Sequence, residues 1–113
     1  MQRGEIHLAA FPFGDVPGMK LRPVLLLTPQ IASTNEILVA YISSVIPSMV
    51  LPTDIVLDPQ IGEHSHTGLK VTSLLRSHKL ATIHLTAVRR RLGRLSTRSM
   101  DQARASLQSL LGL

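Results

Sequence analysis

The sequence predicts a mainly β, α+β fold: a small, strongly bent antiparallel sheet or barrel whose open side is covered by one C-terminal helix. Short apolar runs of strand length recur between polar or Gly/Pro-containing breaks as far as residue 85, and apolar residues at helical spacing occur only in the last stretch. At 113 residues, with no internal repeat and no linker, residues 1–113 read as a single domain with one core.

Ile6, Leu8 and Ala10 alternate with Glu5, His7 and Ala9, the period of a strand with one buried face. Pro12 to Gly18 is a Gly/Pro-rich loop. The second strand, Pro23 to Thr28, holds the continuous apolar run Val24 to Leu27, and Pro23 suits its first residue because proline has no amide to give to a ladder. A polar connection, Gln30 to Glu36, leads to a third strand at Ile37 to Ile42. Pro47 and Pro52 bracket a turn before Thr53 to Leu57. Asp58 to Gly68 contains Pro59, Gly62 and Gly68 with few large apolar residues, so an exposed loop is expected there. Further strands are expected at Val71 to Leu75 and Leu80 to Leu85, whereas Arg89 to Leu95 fits neither period. Ser96 is placed to cap a helix on which Met100, Ala103, Leu107, Leu110 and Leu111 share one face, and Gly112 suits its end.

Composition narrows the function classes. Without cysteine, disulfides and thiolate metal sites are excluded. No apolar run approaches the roughly 20 residues of a membrane span, and the start is too short and broken for a secretory signal, so a soluble cytoplasmic protein is expected. The net charge of +5 is uneven. Residues 1–56 carry three Lys/Arg against four Asp/Glu, whereas residues 57–113 carry nine against three, a local excess of +6. A basic surface of this kind attracts polyanions, either nucleic acid or an acidic protein segment.

Three clusters are candidates for chemistry. Lys20 and Arg22 stand at the mouth of the second strand, where a rigid element meets a loop and a guanidinium can present its planar fork to a phosphate. Ser43 and Ser44 follow the third strand; their hydroxyls either donate to an anion or close a turn. In Arg76, Ser77, His78 and Lys79, the arginine and the histidine are two apart and project from one face of an extended chain, which sets a fixed cation beside a side chain of the type that titrates near neutrality. His64 and His66 form an H-x-H pair near Glu63, but a zinc site needs a third rigid ligand, so no metal and no cofactor are expected. Gly14 to Gly18 lacks the G-K-[ST] ending of a phosphate-binding loop.

The ordered set RGEI (Arg3 to Ile6), FPFG (Phe11 to Gly14), LRPVLLL (Leu21 to Leu27), a strand ending in Ile42 and Ser43, PTDIVL (Pro52 to Leu57), GLKVTSLLR (Gly68 to Arg76), KLATI (Lys79 to Ile83) and RRLGRLS (Arg90 to Ser96) resembles the MazF/PemK family of toxin endoribonucleases from toxin–antitoxin pairs. The resemblance runs nearly end to end. It implies an SH3-like barrel with a C-terminal helix, a homodimer, a cognate acidic antitoxin, and metal-independent, sequence-selective cleavage of single-stranded RNA through attack by the ribose 2′-hydroxyl. It makes Arg22, Ser43, Arg76 and His78 the catalytic candidates, and Phe13, Lys20, Thr28, Ser44, Ser77 and Lys79 candidate RNA contacts. Recognition of the RNA sequence falls to the loops Asp15 to Met19 and Val45 to Leu51.

The chain also departs from the pattern. His78 stands where relatives often carry Asp, Ser43 where Thr is common, and Ala10 where many have an acidic residue. Two other readings therefore stand beside the nuclease: a gyrase poison of the same fold, and a nucleic-acid-binding module that has lost catalysis. The first needs a specialised C-terminal end, whereas this chain finishes in the amphipathic ASLQSLLGL.

Overall fold

The computed structural model describes residues 1–11 and 20–113, with Phe11 by its backbone alone. The loop expected at Pro12 to Gly18, the recognition segment Asp15 to Met19 and the contact assigned to Phe13 lie outside the described residues.

Among the described residues, six strands form one antiparallel sheet: β1 (Glu5–Phe11), β2 (Lys20–Leu26), β3 (Glu36–Ser43), β4 (Asp54–Leu57), β5 (Ser73–His84) and β6 (Val88–Arg94). Their order in the sheet is β4-β5-β3-β2-β1-β6, and helix α1 (Thr97–Leu111) follows β6. Ile6 of β1 and Leu57 of β4, four strands apart, share one core with Leu25, Ala40, Leu75 and Ala103 of the helix. The sheet therefore curls around that core in an SH3-like manner, with β4 and β6 left as its two edges.

A second apolar cluster, Ala9, Val24, Leu26, Ile37, Val39 and Ile83, lies on the other face. Hence β1 is not the half-buried strand its alternation predicts: His7 and Ala9 are as enclosed as Ile6. The reason is that each face of β1 meets an apolar cluster, Ile6 in the helix-side core and Ala9 in the second. Pro23 is the fourth residue of β2 rather than the first, but β2 pairs with β3 only from Val24 onward, so the missing amide falls beyond that ladder.

The two strands expected at Val71 to Leu75 and Leu80 to Leu85 are one strand, β5, interrupted by a bulge. Ala40 pairs with Leu80 while the next residue, Tyr41, pairs with Arg76, so Ser77, His78 and Lys79 are extra residues on β5. Arg89 to Leu95 resolves as β6, paired with β1.

The loop expected at Asp58 to Gly68 is largely exposed, as expected, but His64 and Thr67 are buried and its end is docked on β6. The Arg94 amide donates to the His66 carbonyl at 2.9 Å, and the Thr67 hydroxyl, buried, donates to the His64 carbonyl at 2.9 Å. Two glycines permit the approach. A Cβ on Gly93 would stand 2.1 Å from the His66 carbonyl oxygen, and one on Gly68, whose φ is +73°, would stand 2.0 Å from that of Leu92. This segment also anchors α1, because the Ser96 hydroxyl donates to Glu63 while accepting from the Ser99 amide at 3.0 Å as N-cap. The left-handed Gly112 ends the helix. Helix α1 packs on β5 and β4, with Ala103 in the core and Met100 against it, whereas Leu110 and Leu111 at its far end stay exposed.

Candidate active site

Cross-strand pairing draws a single row across all six strands: Asp54 on β4, Arg76 on β5, Tyr41 on β3, Val24 on β2, His7 on β1 and Arg91 on β6. Residues paired directly share a face, so Asp54, Arg76 and Tyr41 point the same way. The next row on that face contains Arg22, opposite Ala9, and Ser43, opposite Leu74. Three residues singled out from the sequence, Arg22, Ser43 and Arg76, thus occupy two adjacent rows of one face.

The bulge is what puts Arg76 there. Leu80 and Arg76 are four residues apart and would share a face in an unbroken strand. With three residues inserted between their pairing positions, Leu80 packs against the helix-side core and Arg76 emerges beside Tyr41 on the opposite face.

Arg76 Nε donates to Asp54 Oδ1 at 3.1 Å, and Asp54 Oδ2 accepts the Leu51 amide at 2.8 Å. The Asp54 side chain is 0% exposed and that of Arg76 14%, so this is an ion pair removed from water. Pairing through Nε leaves the terminal Nη donors as the remaining prongs of the fork. His78 Nδ1 lies 3.8 Å from the same Asp54 oxygen, beyond hydrogen-bond range, and among the described residues it has no hydrogen-bond partner. Arg76 and His78, expected side by side on an extended chain, are instead separated by the start of the bulge, yet both lie within 4 Å of Asp54.

The remaining candidates separate. Ser43 closes a turn, its hydroxyl donating to the Val45 carbonyl at 3.0 Å and accepting the Val45 amide at 3.1 Å. Ser44 next to it, Lys20 at the start of β2 and Lys79 on the bulge are exposed. Ser77 is 2% exposed, so its hydroxyl is shut away from any ligand that arrives from solvent. Thr28 accepts the Leu38 amide at 3.1 Å and lies six residues past Arg22, about 20 Å along an extended chain at ~3.3 Å per residue. His64 turns inward to Ser99, its Nδ1 3.5 Å from the hydroxyl oxygen, while His66 meets Ser65, so the H-x-H pair does not converge. Among the described residues no group of three or more His, Cys, Asp or Glu side chains is placed to hold a metal ion. No helix among them is long and apolar enough to cross a membrane.

Sequence reasoning missed two members of this site. Asp54 looked like the polar start of a strand; the signal was a lone acid between Pro52 and an apolar run, and only the β4–β5 register gives it a partner. Tyr41, the chain's single tyrosine, was counted as part of an apolar strand. It stands between Val24 and Arg76 in the row, and its burial pushes the phenol above its ordinary value of 10.0. Chemically, the arrangement offers fixed guanidinium charge and an imidazole over a buried carboxylate. Such a set can hold a phosphate, stabilise charge that grows on it and take up a proton.

No curated protein sequence gives a significant match to the chain. Among solved structures, the Mycobacterium tuberculosis toxin MazF-mt6 is similar at 22% identity, with 96% of this chain and 97% of that one covered and a TM-score of 0.75. MazF from Deinococcus radiodurans is 19% identical, with 100% and 97% covered and a TM-score of 0.75. An endoribonuclease in complex with its cognate antitoxin, from a mycobacterial species, is 16% identical, with 100% and 96% covered and a TM-score of 0.75. At such identities these likenesses establish the fold and leave function to the site. The model of the PemK-like, MazF-like toxins matches residues 2–111. With all but the chain's extreme ends inside that match, the protein belongs to the PemK-like, MazF-like toxin family of type II toxin–antitoxin systems.

Proposed function

We propose that the chain is an endoribonuclease that cuts single-stranded RNA at selected sequences without a metal, leaving 2′,3′-cyclic phosphate and 5′-hydroxyl ends. The observation that carries this reading is the convergence of Arg76 and His78 on the buried Asp54, with Arg22 one row away on the same face. The ribose 2′-hydroxyl attacks phosphorus, the bond to the 5′-oxygen breaks, His78 accepts the proton of the nucleophile, and the departing oxygen takes a proton from solvent. Arg22 and Arg76 hold the non-bridging oxygens while charge builds on them. Asp54 orients the Arg76 guanidinium, lies beside the imidazole and need not touch RNA. Ser43 contributes through the turn it closes, and Lys20, Ser44 and Lys79 are the exposed contacts available to the RNA. Ser77 and Thr28 do not join them.

Family membership supports this chemistry, as does one similar structure being an endoribonuclease bound to its cognate antitoxin. In the same reading the protein is a cytoplasmic homodimer inhibited by an acidic antitoxin. The imidazole over a buried carboxylate favours a working nuclease over a module that has lost catalysis. The test is cleavage of a long single-stranded RNA in excess EDTA, followed by end-group analysis. Cyclic phosphate and 5′-hydroxyl ends are expected, and loss of cutting on chelation with rescue by a divalent ion would overturn the mechanism.

A further inference from the structure

We propose that a groove between α1 and the β1–β6 edge, apart from the candidate active site, binds the phosphate backbone of RNA that flanks the cut; this rests on the endoribonuclease reading. A depression of about 310 Å³ there is lined by Arg3, Arg91, Arg94 and Arg104, against only Glu5 and Asp101. A second, of about 330 Å³, shares Arg94, Leu95 and Thr97 with it and extends it toward His66.

The charge in this groove is largely uncommitted. Glu5 is taken by His7 Nε2 at 2.9 Å and by Arg91 Nε at 3.6 Å. Among the described residues, Arg94 and Arg104 form no ion pair within 4.0 Å, in contrast to Arg76 with Asp54. Arg3 is held by donating Nε to the Leu27 carbonyl at 3.0 Å, which fixes its fork. Around the groove, Arg89 and Arg90 on β6 and Arg98 in the first helical turn are exposed. The edge thus gathers seven of the chain's twelve Lys/Arg, and all seven are arginine. Arginine's planar fork matches phosphate in two-point contact, whereas lysine acts as a point charge.

The lining favours RNA over an acidic peptide. A segment that folds on binding needs apolar sockets to offset its ordering, and this groove offers only Leu95, itself buried, and part of Met100. A polymer with one charge at every unit needs none. Position fits as well: β6 lies two strands from β2, which carries Arg22, roughly 10 Å along the sheet at ~4.8 Å for each spacing. None of Arg22, Arg76 and His78 lines the groove, which is placed to grip the same RNA strand beyond the cut.

The experiment compares wild type with an Arg94→Ala, Arg104→Ala double variant on two substrates: a short oligonucleotide that spans only the cut site, and the same site extended by a polyuridine tail. The rise in KM is expected to be about tenfold greater for the extended RNA than for the short one. The slope of log affinity against log salt for the extended RNA should fall by about 1.4, at ~0.7 for each single-strand phosphate that the variant no longer neutralises. An Arg94→Lys, Arg104→Lys variant should recover that slope. As a check that needs no variant, extended RNA but not the short oligonucleotide should shield Arg94 and Arg104 of the wild type from phenylglyoxal. Equal effects on both substrates, an unshielded groove, or loss of polyglutamate binding with RNA binding intact would each overturn the proposal. If wild type cuts no RNA, the nuclease reading fails, and binding of the extended RNA measured by anisotropy still decides this one.

Discussion

Arg76 and Asp54 face each other across the β4–β5 pair, and the guanidinium Nε meets a carboxylate that water does not reach. A buried carboxylate stays ionised at low cost only while its oxygens are occupied, here by Arg76 and by the Leu51 amide. The oxygen that binds Arg76 also lies nearest His78. One concealed acid therefore fixes the cation and lies beside the imidazole that the proposed reaction uses.

Asp54→Asn keeps the shape and removes the charge. Leaving Arg76 without its counter-ion should cost about 3 kcal/mol of stability, the scale of breaking a buried pair. The single-turnover cleavage rate should fall by roughly 10-fold or more as Arg76 loses its anchor. Urea unfolding and a cleavage time course measure the two effects; a folded variant that cuts at the wild-type rate would reduce Asp54 to a structural role.

Arg22→Ala and Arg76→Ala should each slow cleavage by about 10², the usual loss when one transition-state donor is removed. The effect is expected in kcat rather than in KM, because the charge that these groups stabilise is greatest in the transition state. The double variant should lose less than the product of the single losses, since both serve one phosphate. Steady-state kinetics on the short oligonucleotide measures all three.

His78→Ala should flatten the acidic limb of the pH–rate profile if the imidazole takes the 2′-hydroxyl proton, because no titrating group then remains in that role. A limb unchanged in position and steepness, with only a lower plateau, would assign His78 to binding or packing.

Glu5 gives the fold a dependence on acid. The hydrogen bond from His7 holds its carboxyl below the ordinary value of 4.5, against the opposing effect of burial, with the Gln2 amide, the N-terminus and Arg91 adding to the depression. A depressed carboxyl contributes stability that is fully present above its unfolded value and is lost as pH falls through the lower folded one. The thermal midpoint should therefore drop more steeply below about pH 4.5 in wild type than in Glu5→Gln. Parallel curves for the two proteins would contradict this.

The strands and the helix were legible because their periods survive in the sequence: Val24 to Leu27, Ile37 to Ile42 and the Met100–Ala103 stripe all serve as cores or core contacts in the structure. Arg22, Arg76 and His78 were legible as charged or titratable groups at breaks in those periods. Asp54 was not, since its partner is 22 residues away and nothing local records the β4–β5 register. Nor was the docking of Asp58 to Gly68, which depends on two glycine contacts with β6 rather than on hydrophobic pattern. The arginines of β6 hid their strand, because residues 89–91 are exposed in succession and no residue of β6 is buried, so no alternation records it.

The three extra residues of β5 bear on how such a chain can change over generations. Flanking halves of the strand are registered separately, 80–84 and 74–76 each by their own partners on β3, so identities at 77–79 are free of the demands of sheet pairing. A different proton acceptor can be tried at position 78 without rebuilding the scaffold. Their number is under tighter control. An insertion or deletion that either flank absorbed by slipping one place along β3 would turn that flank over, carrying Arg76 into the oily interior or Leu80 out of it. Lineages should therefore vary the letters of this stretch more readily than its length.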